Sequence, residues 1–321
     1  MTIQRNVSFD SKGQRLEGTL ALPNTTEPCP AVLMIVGSGM VDRDENAPGL
    51  PIDVMRQLAE HLAEQGIGSL RFDKRGVGAS EGDFWTAGLS DNTDDAAAAI
   101  DFLRTQPEID ASRVFALGHS EGATICIRLA GAHAPIAGAV LLAGVGRVGR
   151  EALLWQGEQV VPGMTGFNKW LIGALHVDVR KSQIKAFAKI EKSTKDTYRV
   201  QGIRKINAKW MREFLAYDPA ADLGRIDVPV LAITGSKDIQ VDPADLELMA
   251  EEVRSEFEPH VVPDVTHLLR ADAADVPSIN TYKAQVAEPV DERVLDLTTD
   301  WLKRHAGLMC EEDDLCATAT A

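Results

Sequence analysis

The sequence holds no uninterrupted apolar run approaching the roughly 18 residues that a membrane-spanning helix needs. Nor does an apolar segment follow a basic one in Met1–Ser8, so no secretory signal is expected. Cysteine is sparse. Cys29, Cys126, Cys310 and Cys316 are too scattered for a disulfide framework, and no His lies at zinc-ligand spacing from any pair of them. A bridge closing the acidic loop between Cys310 and Cys316 is the minor alternative to free thiols. Positive charge is also short, with 33 Lys and Arg against 48 Asp and Glu for a net charge of −15. Such a surface repels phosphate backbones and anionic headgroups, so neither nucleic acid nor a membrane is an expected partner. The charge serves solubility, the expected compartment is the cytoplasm, and monomer and homodimer both stay open.

What is present is enough apolar sequence, 45% of 321 residues, to bury a large core in one domain with an insertion. Ile3–Phe9 and Leu16–Leu22 alternate polar and apolar residues around Ser11-Lys-Gly, as an antiparallel pair does. The texture then changes to short, wholly apolar, β-branched runs that suit strands buried on both faces. These are Ala31–Val36, Val114–Leu117, Ala139–Leu142 and Val228–Ile233, with the same texture interrupted by Ser69 and Arg71 at Ile67–Phe72 and a weaker run at Pro259–Val262. Between them lie helical patterns at Ile52–Gln65, Asn92–Arg104, Gly122–Ala132 and Pro243–Val253, with Asp91 or Asn92 and Asp242 as candidate caps. Strands alternating with helices predict an α/β fold with a mostly parallel sheet covered on both faces.

The alternation stops between Val148 and Asp222, where helical segments (Ala152–Val160, Phe167–Leu175, Lys181–Lys192, Lys205–Phe214) occur without a strand-like run. We therefore expect a core of residues 1–147 and 223–307, a helical insertion over the sheet edge at 148–222, and an acidic, disordered tail at 308–321. A last helix is expected at Asp291–His305.

Gly118-His119-Ser120-Glu121-Gly122 follows a buried strand and opens a helix. A serine that must stand above a sheet on a sharp, strained turn needs glycines two before and two after it, so that side chains do not collide. The helix N-terminus behind it favours a developing oxyanion. A hydroxyl also needs a base, and in this architecture acid and base follow the nucleophile in the order Ser, acid, His. His61 precedes it. His119 sits inside the turn, His133 ends the following helix, His176 lies in the insertion, His260 within the last strand and His305 near the terminal helix end. His267 remains, in the loop after that strand. Asp238, in the loop after Val228–Ile233, is the candidate acid, and Asp242 is better explained as a cap. The backbone amides of Glu121 and Ser38 are the candidate oxyanion donors, Gly37 and Gly39 permitting the loop geometry. Asp42, Arg43 and Asp44 are expected to brace that loop. Arg71–Ser80 is glycine-rich but lacks the G-x-G-x-x-G pattern and a Walker lysine, so it reads as a tight loop beside the site.

Taken with Tyr217-Asp-Pro219, Gly235-Ser-Lys-Asp238 and Thr266-His267, these motifs resemble the α/β-hydrolase superfamily. More narrowly they resemble its bacterial esterase branch, grouped with serine aminopeptidase-like and dienelactone hydrolase-related proteins, from about Gln14 to His305. Two residues depart from that pattern. Related sequences usually have Gly where Glu45 stands, and tend to have Asn where Thr266 precedes the His. The resemblance implies a helical cap at the insertion and hydrolysis of small-molecule carboxylic esters without a cofactor or metal. A thioesterase or peptidase with the same triad stays open, as does a non-catalytic ligand-binding protein on a hydrolase fold. Substrate choice is expected to lie with cap side chains such as Trp155, Phe167, Trp170 and Trp210, whose orientation the sequence leaves unassigned.

Overall fold

The apolar runs become the interior strands of one eight-stranded sheet in the computed structural model, which describes residues 2–163, 178–200 and 204–308. Strands β1 (Ile3–Ser11) and β2 (Gln14–Leu22) form the expected hairpin. Its two loop residues, Lys12 and Gly13, both have positive φ, the backbone that a tight two-residue hairpin turn requires. Strand β3 (Cys29–Ile35) is buried throughout. A small ribbon of β4 (Asn46–Ala47) and β5 (Leu50–Pro51) follows, and then helix α1 (Val54–Glu64) and β6 (Gly68–Phe72). Helix α2 (Leu89–Arg104), β7 (Ile109–His119), α3 (Glu121–Gly131) and β8 (Ala139–Leu142) complete the first half.

After the insertion come β11 (Val230–Gly235), α8 (Asp245–Glu252), β12 (Phe257–Val262), α9 (Tyr282–Gln285) and α10 (Glu292–His305). The sheet order is β1-β2-β6-β3-β7-β8-β11-β12, and every neighbouring pair from β6 to β12 is parallel. Period-two alternation divides the core between the faces. Leu33, Ile35 and Ala116 pack with Leu89, Ile100 and Ile125 of α2 and α3, while Val32, Met34 and Leu117 pack with Leu58 of α1 and Trp301 of α10. The edge strand β12 is only partly buried, which explains its weaker apolar signal.

Among the described residues between β8 and β11, none adds a strand to the sheet. The insertion holds α4 (Gly149–Gly163), α5 (Val179–Lys192), an antiparallel ribbon of β9 (Thr197–Val200) and β10 (Arg204–Asn207), α6 (Ala208–Ala216) and the single-turn α7 (Ala220–Leu223). The ribbon corrects the all-helical expectation. Residues 205–207 are strand because Asn207 is the cap of α6, its Oδ1 accepting the Trp210 N–H at 2.9 Å, and because Ile206 pairs with Tyr198 across the ribbon. Asn207 Nδ2 also donates to the Phe84 and Ala87 carbonyls, tying the insertion to the loop after β6. The segment Phe167–Leu175 and residues 309–321, including Cys310 and Cys316, lie outside the described residues.

Two caps differ from expectation. Helix α2 starts at Leu89, and Asp91 acts from its third position, accepting the Gly88 N–H. Asp242 takes the Ala244 N–H ahead of α8 and also pairs with Arg147. Among the described residues, no helix is long and apolar enough to cross a membrane.

Candidate active site

Ser120 stands at the C-terminal end of β7 with φ 55° and ψ −113°, a backbone that non-glycine residues rarely adopt and that costs about 1–3 kcal/mol. The flanking glycines show why the turn closes. A Cβ on Gly118 would lie 2.1 Å from the Gly122 carbonyl, and one on Gly122 would lie 2.0 Å from the Ile35 carbonyl oxygen. The start of α3 is thus pressed against the ends of β7 and β3, where only bare backbone fits.

His267 and Asp238 meet as expected. The imidazole Nδ1–H donates to Asp238 Oδ2 at 2.8 Å, and both side chains are buried. Asp238 Oδ1 accepts the Gln240 and Val241 N–H groups at 2.7 and 2.9 Å, which fixes the carboxylate in orientation. Asp242, by contrast, is held by Arg147. Thr266, in the place of the family's usual Asn, donates its hydroxyl to Gln285 Oε1 at 2.7 Å. The His267 loop reaches Ser120 through the intervening His119. His119 Nε2 lies 2.8 Å from the His267 carbonyl oxygen, and the two imidazole centroids are 4.8 Å apart. Among the described residues Ser120 and His267 share no side-chain hydrogen bond, a contact that commonly tightens only when substrate binds.

The Ser38 amide has no acceptor among the described residues. The Glu121 amide, at the first position of α3, is one of the four N–H groups that no helix can satisfy internally. Ser38, Ser120 and Glu121 line one cavity. Arg43 binds Asp73 through its backbone N–H and its guanidinium, and Asp44 takes the Arg71 Nε–H at 2.8 Å, so these residues brace the loop. The Arg71–Ser80 segment is the tight loop expected, and its Lys74 donates to the Gly37 carbonyl at 2.6 Å.

Two parts of the site were not legible beforehand. One is the Glu121 side chain, whose Oε1 accepts from Asn92 Nδ2 at 2.7 Å and from Trp210 Nε1 at 2.8 Å, with Lys74 3.5 Å from Oε2. The other is Glu45, which has φ +72°, the left-handed backbone that suits the family's usual glycine. Its buried Oε1 accepts the Gly37 N–H at 2.6 Å and lies 2.8 Å from His119 Nδ1. The departure from glycine was the one signal pointing to it.

Trp210, stacked on Phe214 with centroids 5.0 Å apart, lines two compartments, as do Ser38 and Glu121. The one containing Ser120 has a volume of about 50 Å³ and is walled by Val145, Gln156 and Gln240. The other, about 280 Å³, is walled by Met40, Trp85, Lys205 and Met211, with Lys205 Nζ 4.3 Å from the Trp85 ring centre. Trp155 is half-buried and lines neither of these compartments, and Phe167 and Trp170 lie outside the described residues.

The parallel sheet, the strained serine and the buried His–Asp pair define an α/β-hydrolase. Solved structures agree on the fold. Est1E from Butyrivibrio proteoclasticus with bound ferulic acid superposes with a TM-score of 0.64 at 18% identity, covering 93% of this chain and 98% of that one. The α/β-hydrolase GrgF from Penicillium sp. sh18 gives 0.64 at 17%, covering 95% and 99%. Esterase EstD from Thermotoga maritima is 26% identical over 300 residues, 92% of this chain and 68% of its own length. Residues 52–274 match the family described as serine aminopeptidase, S33, and the chain belongs to that family.

Proposed function

We propose that the protein hydrolyses carboxylic esters through an acyl-enzyme on Ser120. The observation that carries this is the strained Ser120 turn at the wall of a cavity, with the buried His267–Asp238 pair tied through the His267 carbonyl to His119, the residue before Ser120. In this reading His267 Nε2 takes the Ser120 proton as Oγ attacks the ester carbon. Asp238 holds the imidazole tautomer and offsets the charge that forms on it. The Ser38 and Glu121 amides receive the oxyanion, and collapse expels the alcohol with the proton carried by His267. Water, activated by the same imidazole, then releases the acid.

The relatives support the ester choice, EstD by its name and Est1E by the aromatic acid bound to it. We assign residues 1–147 and 223–307 to the catalytic core and 148–222 to a cap. In that division Trp210 places a short substrate group on the side of Gln240 and a bulkier apolar or aromatic one on the side of Trp85. We place the protein in the cytoplasm on its few cysteines, of which Cys29 and Cys126 are buried free thiols. Cell fractionation checks that assignment.

Ser120→Ala should lower p-nitrophenyl butyrate turnover on the order of 10⁶-fold. Retention of more than a few per cent of the activity refutes the mechanism. Acyl-CoA and aminoacyl p-nitroanilide substrates, assayed beside the ester, separate thioesterase and peptidase action from it.

A further inference from the structure

Both ring nitrogens of His119 face atoms that can only accept. Nδ1 meets the Glu45 carboxylate and Nε2 meets the His267 carbonyl, each at 2.8 Å. A neutral imidazole has a single N–H and satisfies one such partner, whereas the cation satisfies both. Glu45 Oε1 already accepts the Gly37 N–H, and an N–H at His119 Nδ1 gives the same oxygen a second donor. Burial by itself pulls the imidazole down. The charge and hydrogen bond of Glu45, with a smaller contribution from Asp238, reverse this, and the net shift is upward.

We infer that Glu45 and His119 form a buried carboxylate–imidazolium pair that positions the oxyanion loop and the base together. The inference rests on the triad proposed above. Its two ends make separate contacts. Glu45 holds Gly37, the residue before Ser38, and His119 holds the backbone of His267. The His119 ring is tilted by 42° against the His267 ring with the centres 4.8 Å apart, so a positive charge on His119 acts directly at the base, while Glu45 lies at the far nitrogen and cancels only part of that effect. The other charged groups facing the pair are Asp238, which binds His267, Arg270, which acts on Glu45 through its charge, and Lys74, across Gly37. Removing the Glu45 charge leaves none of these able to keep a proton on His119 by direct contact.

The test compares kcat/KM against pH for p-nitrophenyl butyrate in the wild type, Glu45→Gln and Glu45→Gly, with fluorophosphonate labelling of each. The glycine variant suits the left-handed backbone at this position and guards against a glutamine variant that fails to fold. The acid limb should move up by about half to one pH unit in both variants. Nitrogen-15 NMR of the ring nitrogens should show one imidazole protonated at both positions at pH 7.5, absent in His119→Asn. An acid limb that stays put in variants still labelled at Ser120, or a neutral His119, overturns the inference. Wild-type protein that does not label at Ser120 overturns the triad instead.

Discussion

Gly122→Ala isolates the collision that shapes the serine turn. The added Cβ would sit 2.0 Å from the Ile35 carbonyl oxygen and 2.7 Å from its carbon. Ordinary contact begins near 3.4 Å, so one partner must move by well over an ångström. Ile35 ends β3, which is bonded on both sides to β6 and β7, so the sheet does not yield. The start of α3 must move, and it carries Ser120 and the Glu121 amide. Overpacking of this kind costs about 1–3 kcal/mol, and an ångström of misplacement at the chemistry costs on the order of 10²-fold in rate. In a domain this large the stability loss appears as a fall in Tm of about 2–4 °C per kcal/mol. Calorimetry and stopped-flow fluorophosphonate labelling read the two effects separately. Gly13→Ala is the control, because it has positive φ but nothing within 4 Å of the added carbon. It should lower stability by about 1 kcal/mol and leave labelling unchanged. Gly122→Ala protein with wild-type Tm and labelling rate would refute the steric account of the motif.

Asp238→Asn keeps the shape of the acid but loses its hold on the His267 tautomer, so kcat should fall on the order of 10⁴-fold with the Tm little changed, as steady-state assays and calorimetry would show. Trp210→Ala removes a wall that the two compartments share, and a panel of p-nitrophenyl esters graded by acyl length should show the optimum moving to longer chains; an unchanged optimum argues against Trp210 as a limit on chain length. Asp91 is partly buried, which raises its pKa, but its hydrogen bonds to Lys209 and Gly88 more than offset this and the net shift is downward from 3.8. A depressed folded-state value means stability present above the unfolded value and lost as pH falls through the folded one. The gap in urea midpoint between wild type and Asp91→Asn should therefore be constant above about pH 5 and close below 3.8.

The sheet and the three candidate catalytic residues were legible because each leaves a local trace. Wholly apolar runs mark β3, β7, β8 and β11, a run interrupted by Ser69 and Arg71 marks β6, and glycines spaced around Ser120 mark the turn. His267 and Asp238 could be chosen because each follows a strand, and strand ends converge in a parallel sheet. The ribbon of β9 and β10 left no such trace. Its residues are short of apolar alternation, and its end is decided by Asn207, whose side chain answers both to Trp210 and to carbonyls more than a hundred residues away.

The sequence by itself determined the order of strands and helices, the backbone freedom at Gly118 and Gly122, and the choice of Ser120 as candidate nucleophile, because these depend on periodicity and on steric demands within a few residues. The partners of Glu121, the bridge from Glu45 through His119 to His267, and the place of Trp210 in the walls of both compartments were decided by tertiary structure alone. A buried carboxylate takes whichever donors the fold brings within about 3 Å. Glu121 is bonded to side chains from α2 and α6, and Glu45 to the chain after β3 and the end of β7. Their meeting is a property of the folded sheet and of what packs over it, and no segment carries it alone.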